Sequence, residues 1–278
     1  MITLTWLELQ KIFKKWRSYI GFIAIALLAL IVQISLYFAG EDYIQHMTRG
    51  LTDSFILSGN LFNGYLIANL IMQGLFIHIP FLIVLVGGDL LASEATAGTY
   101  RMLLTRPVSR LKVVTSKFFA GVIYTNLLII WLAILSLGLS IVIFGTGELL
   151  SLRTKIIIFA SNDVLWRFGC AYLYSILSMT MVMTLSFFFS SMVENAIGPI
   201  VSTMAVIIVF MILSNIPVEF LVNLRPYFFT THMIQWYGFF DDPVDYAEIF
   251  KSAWILFAHI AGLYLITTFI FLKKDILS

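Results

Sequence analysis

Charge is what this sequence has least of. Only 12% of its 278 residues are Asp, Glu, Lys or Arg, against about 25% in an ordinary soluble domain. A globule of this length could not cover its surface from so small an inventory, which excludes one large or two small soluble domains. Cysteine is nearly absent too. The lone Cys170 excludes an intramolecular disulfide framework and a cysteine-based zinc cluster, and its apolar neighbours mark it as a small packing residue. The four histidines, at 46, 78, 232 and 259, are scattered without metal-ligand spacing. Met179, Met181 and Met183 make no soft-metal path, because alternate helical residues point about 200° apart. No Gly-x-x-x-x-Gly-Lys-Ser/Thr loop occurs, so nothing in the chain cradles ATP in the usual way. Gly-x-x-x-Gly is missing as well, so small-residue packing singles out no dimer seam. Carboxylates inside the long apolar stretches are absent, which argues against a proton- or sodium-coupled carrier. No paired acids, histidine cluster or nucleophile constellation points to an intramembrane enzyme. Neither an internal repeat nor a low-complexity tract stands out.

Apolar residues fill the gap. They make up 60% of the chain, with mean hydropathy +0.98. Six stretches are long enough to cross a hydrocarbon core of roughly 30 Å as helices: Tyr19–Ala39, Leu66–Gly88, Phe118–Phe144, Val164–Ser190, Ala196–Ile216 and Ser252–Leu272. Helix is the element that satisfies its own backbone in lipid. The expected fold is therefore an all-α integral membrane bundle of six transmembrane helices, occupying residues 19–278. Its weakest boundary is Ser191–Asn195, where five residues separate two apolar runs, and a five-span reading stays open there.

Basic residues set the expected orientation. With the N-terminus in the cytoplasm, Lys11, Lys14, Lys15, Arg17, Arg101, Arg106, Arg110, Lys112, Lys117, Lys273 and Lys274 all fall inside. Both termini are then cytoplasmic, as an even number of spans requires. Residues 1–18 read as an amphipathic interfacial helix rather than a signal peptide. At 100° per residue Ile2, Trp6, Leu9, Ile12, Phe13 and Trp16 share one face and Lys11, Lys14 and Lys15 oppose them; Leu4 and Leu7 break the pattern. Such a helix serves either as an anchor or as an elbow that moves with a transport cycle.

The longest cytoplasmic loop covers residues 89–117. Gly98 can stop one helix, Thr99 can cap another and Pro107 can begin or end a turn, predicting short helices across the membrane face. The plain reading is a basic loop that enforces topology and touches anionic lipid. The pattern of Asp89, Glu94, Gly98, Thr99, Leu103, Leu104, Pro107, Ser109, Arg110 and Lys117 also resembles the loop after the second span of ABC-2 type permeases, in the branch of the nitrous-oxide-reductase maturation permease. The resemblance implies a type V exporter-like fold with a coupling helix in this loop. It further implies that Glu94, Gly98, Thr99, Arg101, Leu103, Leu104, Pro107 and Arg110 contact a separate ATP-binding cassette (ABC) ATPase, with Glu194 in a second, minor contact. Two ATPase copies would hold the ATP and magnesium, and this chain would bind no cofactor. A second permease copy, identical or related, would complete the path in the cytoplasmic membrane of a bacterium, among membrane lipid and with no role for nucleic acid. The rival reading is a scaffold or sensor subunit that moves no substrate.

Polar residues inside spans are costly and therefore informative. Asn69, Gln73 and His78 precede Pro80 at spacings that put them roughly on one face. They line a translocation path or a subunit interface, or else bond locally between helices. Asn126 and Arg167 are weaker candidates, since Arg167 can snorkel to the interface. The aromatic segment Pro217–Lys251 reads as an interfacial belt; the resemblance offers an outer gate of short re-entrant helices instead.

Overall fold

A computed structural model describes residues 1–52, 60–96, 108–152 and 155–273. The expected loop helices of 98–107 lie outside them. The chain begins with α1 (Ile2–Lys14) and continues through the long α2 (Arg17–Thr52), which kinks at Ala39. Next come α3 (Gly64–Phe76), α4 (Ile79–Gly87) and α5 (Asp89–Thr96). After the undescribed stretch, α6 (Arg110–Ala133) runs through a π turn (Ile134–Gly138) into α7 (Leu139–Phe144). A short antiparallel hairpin of β1 (Leu149–Leu152) and β2 (Ile156–Phe159) follows, with Leu149 opposite Phe159. The remaining helices are α8 (Ser161–Met192), α9 (Ile197–Asn215), α10 (Glu219–Leu224), α11 (Phe229–Met233) and α12 (Tyr246–Lys273).

Among the described residues, five helical segments are long and apolar enough to cross a membrane: Arg17–Gly40, Arg110–Phe144, α8, α9 and α12. The remaining expected stretch, Leu66–Gly88, is broken. Helix α3 meets Ile79–Glu94 at 49°, and Pro80 gives the reason. Its missing N–H cannot reach back to residue 76, and the His78 amide bonds Leu75 O (2.8 Å) rather than continuing the α-helical ladder. The Gly74 carbonyl so released accepts from His78 Nδ1 at 2.8 Å.

Helix α8 is the hub. Its apolar window is 72% buried, against 22–28% for the other four long helices, so it packs inside a ring of helices whose outer faces are left apolar. Chain direction then gives the bundle two ends. The basal end holds α1, α5, the start of α6 and the end of α12, where Arg110 Nη1 donates to Leu272 O at 3.2 Å. The distal end holds the hairpin and the start of α3.

Both ends are pinned by side chains that complete interrupted backbone. Asn63 caps α3, accepting from Tyr65 N (2.9 Å) and Leu66 N, while its Nδ2 donates to Asn60 O and Glu148 O (2.6 and 2.7 Å). Here the backbones touch: a Cβ on Gly64 would sit 2.6 Å from Ser140 O and 2.7 Å from Gly145 O. In mid-bundle the π turn leaves the Leu135 carbonyl to Gln33, whose Nε2 also bonds Ser140 Oγ; π turns of this kind cluster at functional positions.

The distal segment Pro217–Lys251 is not a simple surface belt. Phe229, Trp236, Phe239 and Phe240 are buried in the common core. Arg167 does not snorkel outward either. It is 5% exposed, bonds Asp163 at 2.8 Å and donates from Nη1 to Phe239 O and Asp241 O.

Candidate functional site

The basal end carries most of the described ion pairs. Helix α1 lays Glu8, Leu9 and Ile12 against the bundle, so one acid is carried inward with the apolar face. Glu8 Oε2 meets Lys117 Nζ of α6 at 2.7 Å, and Oε1 meets Lys11 at 2.6 Å. Lys117 also meets Glu94 of α5 at 2.7 Å, and Lys11 reaches the same carboxylate at 3.0 Å. Asp89, at the start of α5, accepts from Lys15 (2.5 Å) and Arg17 (3.2 Å). Three carboxylates and four cations thus tie α1 and the foot of α2 to α5 and α6.

Burial makes these contacts matter. The Lys117 side chain is only 2% exposed, and an ammonium so placed is tolerated only beside opposite charge. Burial alone pushes the Glu8 carboxyl up, but the Lys117 and Lys11 ammonium groups outweigh it and hold it below the ordinary carboxylate value. Lys11 behaves in reverse: burial pulls it down, and the Glu8 and Glu94 carboxylates hold it above its usual value. Glu8 and Lys11 therefore both stay charged at neutral pH.

A second device fixes α5. Ser190 of α8 donates to Gly88 O at 2.6 Å and accepts from Leu91 N and Ala92 N at 3.1 and 2.9 Å. A serine from another helix thereby caps α5, where a local Ser or Asp ordinarily would. At the other end of α5, Thr96 Oγ1 donates to Glu194 O at 2.6 Å.

Of the residues expected at an ATPase contact, Glu94, Arg110 and Glu194 come together at this basal end. Glu94 is turned into the cluster, and the Glu194 side chain is exposed. Gly98, Thr99, Arg101, Leu103, Leu104 and Pro107 lie outside the described residues. Asn69 and Gln73 lie one helical turn apart on α3, and His78 sits at the α3–α4 break. Gln73 and His78 are exposed and Asn69 is half-buried, with Gln73 Nε2 donating to Asn69 Oδ1. Because the Gly74 carbonyl can only accept, His78 carries its proton on Nδ1 and, when neutral, offers Nε2 as an acceptor.

Glu8 and Ser190 were not singled out from the sequence, and Lys117 entered only as a basic residue of the loop pattern. Two signals pointed to the charged pair. Glu8 is the lone acid in a basic amphipathic helix, and Lys117 directly abuts an apolar run starting at Phe118. A lysine in that position needs a partner.

Comparison with known proteins corrects one expectation. Residues 26–277 match the model of a family described as "Protein of unknown function (DUF2705)". The chain is also similar to a Bacillus subtilis (strain 168) protein described as "Uncharacterized protein YhcI", with 27% identity over 130 residues. That alignment covers 45% of this chain and 40% of the relative, so the chain spans less than half of that relative's length. The ABC-2 type assignment is overturned by the family match. Its pattern occupied a short loop, and glycine, threonine, proline and basic residues there also answer the common needs of any turn between membrane helices. The match spans nearly the whole chain from within α2 to the C-terminal end, and the protein belongs to the DUF2705 family.

Proposed function

We propose that this protein is the membrane-spanning permease subunit of an exporter whose energy comes from ATP hydrolysis in separate cytoplasmic subunits. One observation carries the reading. The same broken helix pair bears an exposed amide–imidazole stripe at its middle and continues into α5, which is locked by charge at its base. A polar face on a membrane helix calls for something other than lipid beside it, and a charged clamp at one end gives a place to push.

In this reading the α3–α4 pair crosses as a sixth span, both termini are cytoplasmic, and the membrane is the cytoplasmic membrane of a bacterium. Two ATPase copies bind ATP and magnesium and dock on the basal end around residues 94–110 and Glu194. A second permease copy faces the stripe and completes the path. Closure of the ATPases moves α5, and the cluster carries α1, α2 and α6 with it as one body. The Ile77–His78 break lets the upper half of the path change angle.

One observation favours a second reading, a scaffold subunit that moves nothing. The stripe already satisfies itself, Gln73 on Asn69 and His78 on the Gly74 carbonyl. Purification of the chain from native membranes with whatever binds it separates the two. The permease reading expects a co-purifying ATPase whose hydrolysis rate changes in Glu94→Gln. A scaffold yields partners without ATPase activity, and that result refutes the proposal.

A further inference from the structure

Leu4 and Leu7 sit on the basic face of α1 among Lys11, Lys14 and Lys15, and the amphipathic pattern gives them no role. With Val108 and Val113 they line a groove of about 310 Å³, whose wall also carries Lys11 and Lys14. The groove lies opposite the apolar face of α1. Its lining residues from 108 to 116 all precede Lys117 in the chain, so it opens on the basal side of the Glu8–Lys117 contact. A face this basic belongs to the aqueous side of an amphipathic helix. Aliphatic side chains that converge in such a groove, with polar residues at its rim, mark a contact site.

Charge says what kind of partner fits. Lys14 is exposed and has no ion-pair partner among the described residues. Glu8 adds no net repulsion for an anion, because Lys117 and Lys11 already flank its carboxylate at 2.7 and 2.6 Å. Among the described residues the basal end exposes Lys11, Lys14, Lys15, Arg17, Lys112 and Lys273, against Glu194 as its exposed acid. A second copy of this chain would bring the same cations to the contact, and like charges repel.

We infer that the groove is a socket for a protein partner from the aqueous phase, which inserts an apolar side chain beside an aspartate or glutamate. The apolar side chain packs against Leu4, Leu7, Val108 and Val113, and the carboxylate meets Lys14, with Lys11 beside it. A seated apolar anchor supplies binding energy, and the charge pair sets orientation and partner choice. In the exporter reading the partner is the ATPase, since Val108 borders the segment expected to contact it. Only that last assignment rests on the exporter reading; the socket rests on the groove.

The test uses the full chain in native membranes, opened so that both faces are accessible. In a Cys170→Ala background, Gln10→Cys at the groove rim carries a benzophenone maleimide, and the photo-crosslinked peptide is sequenced by mass spectrometry. The expected product joins this chain to a different protein, through a peptide with a carboxylate within one helical turn of a large apolar residue. Lys14→Glu should cut its yield about fivefold, the upper end for a surface ion pair. Exchanging the partner's carboxylate for lysine should then restore it. Leu7→Ala should cut the yield about tenfold. Lys251→Cys, which replaces an exposed lysine at the distal end, should give no such product. A product within this chain, with a second copy or with lipid overturns the inference, as does the lack of any product. A yield indifferent to Lys14→Glu, or not restored by the exchange, overturns it too. A sensitive and restorable product with a protein that hydrolyses no ATP upholds the socket and refutes the exporter reading.

Discussion

Lys117 Nζ lies 2.7 Å from Glu8 Oε2, across 109 residues of sequence, with the lysine side chain 2% exposed. This pair fastens α1 to α6, the third long apolar segment from the N-terminus, counting the broken one. Replacing Lys117 leaves the Glu8 and Glu94 carboxylates to share Lys11 alone in a poorly solvated site. Lys117→Met should therefore destabilise the fold by about 3–5 kcal/mol. The double variant Glu8→Gln/Lys117→Met should cost clearly less than the sum of the singles, as read from denaturation midpoints in detergent. Additive effects would mean that the two groups are not coupled.

The direction of the Glu8 shift fixes a pH dependence. Its folded value lies below the ordinary 4.5, so the unfolded chain binds the proton more readily. The resulting stabilisation is complete above 4.5 and is lost as pH falls from there through the folded value. Lys11, raised above its ordinary 10.5, contributes fully below that pH and loses its contribution as pH rises through its folded value. Lys11, Lys117 and Glu94 all face Glu8. Stability should thus be flat across neutral pH and fall in acid, with a smaller acid loss in Glu8→Gln.

Ser190 offers a local test. Ser190→Ala removes the acceptor for the Leu91 and Ala92 amides, both in buried residues. Losing hydrogen bonds at buried amides costs about 1–3 kcal/mol. Hydrogen exchange should accelerate in residues 89–96 more than elsewhere. Uniform acceleration across the bundle would deny Ser190 its capping role.

Two glycines on one helix predict opposite outcomes. Gly64→Ala places a Cβ 2.6–2.7 Å from backbone atoms of residues 140, 141 and 145, and backbone cannot swing aside like a side-chain tip. It should lower the thermal midpoint markedly. Gly74→Ala meets nothing within 4 Å and should stabilise, by up to about 1 kcal/mol from helix propensity.

Much of this fold was legible because lipid imposes long apolar runs. Five of the six expected stretches are helical near their expected bounds, and of the expected apolar face of α1 Leu9 and Ile12 are buried while Ile2 and Trp6 are exposed. Pro80 marked the break in the remaining one, Leu66–Gly88, though not its 49° angle. The hairpin Leu149–Phe159 was missed, since its short runs carry no strong period. Arg167 was read as snorkelling because its acceptors are backbone carbonyls some seventy residues away. Glu8 and Lys117 look like surface charges until α1 folds onto α6. The loop pattern misled about family because turn chemistry recurs in unrelated membrane proteins.

The central claim is that Asn69, Gln73 and His78 border a water-accessible path. Thiol labelling in intact membranes tests it directly, starting from a Cys170→Ala background that removes the single native cysteine. Gln73→Cys and His78→Cys are each treated with a membrane-impermeant, water-soluble maleimide in inside-out and right-side-out vesicles. Leu173→Cys, on an outward face of α8 that is 68% exposed, serves as the lipid-facing control. The account predicts labelling of both stripe positions from at least one side, with the control unlabelled. Stripe positions as unreactive as the control from both sides would contradict it.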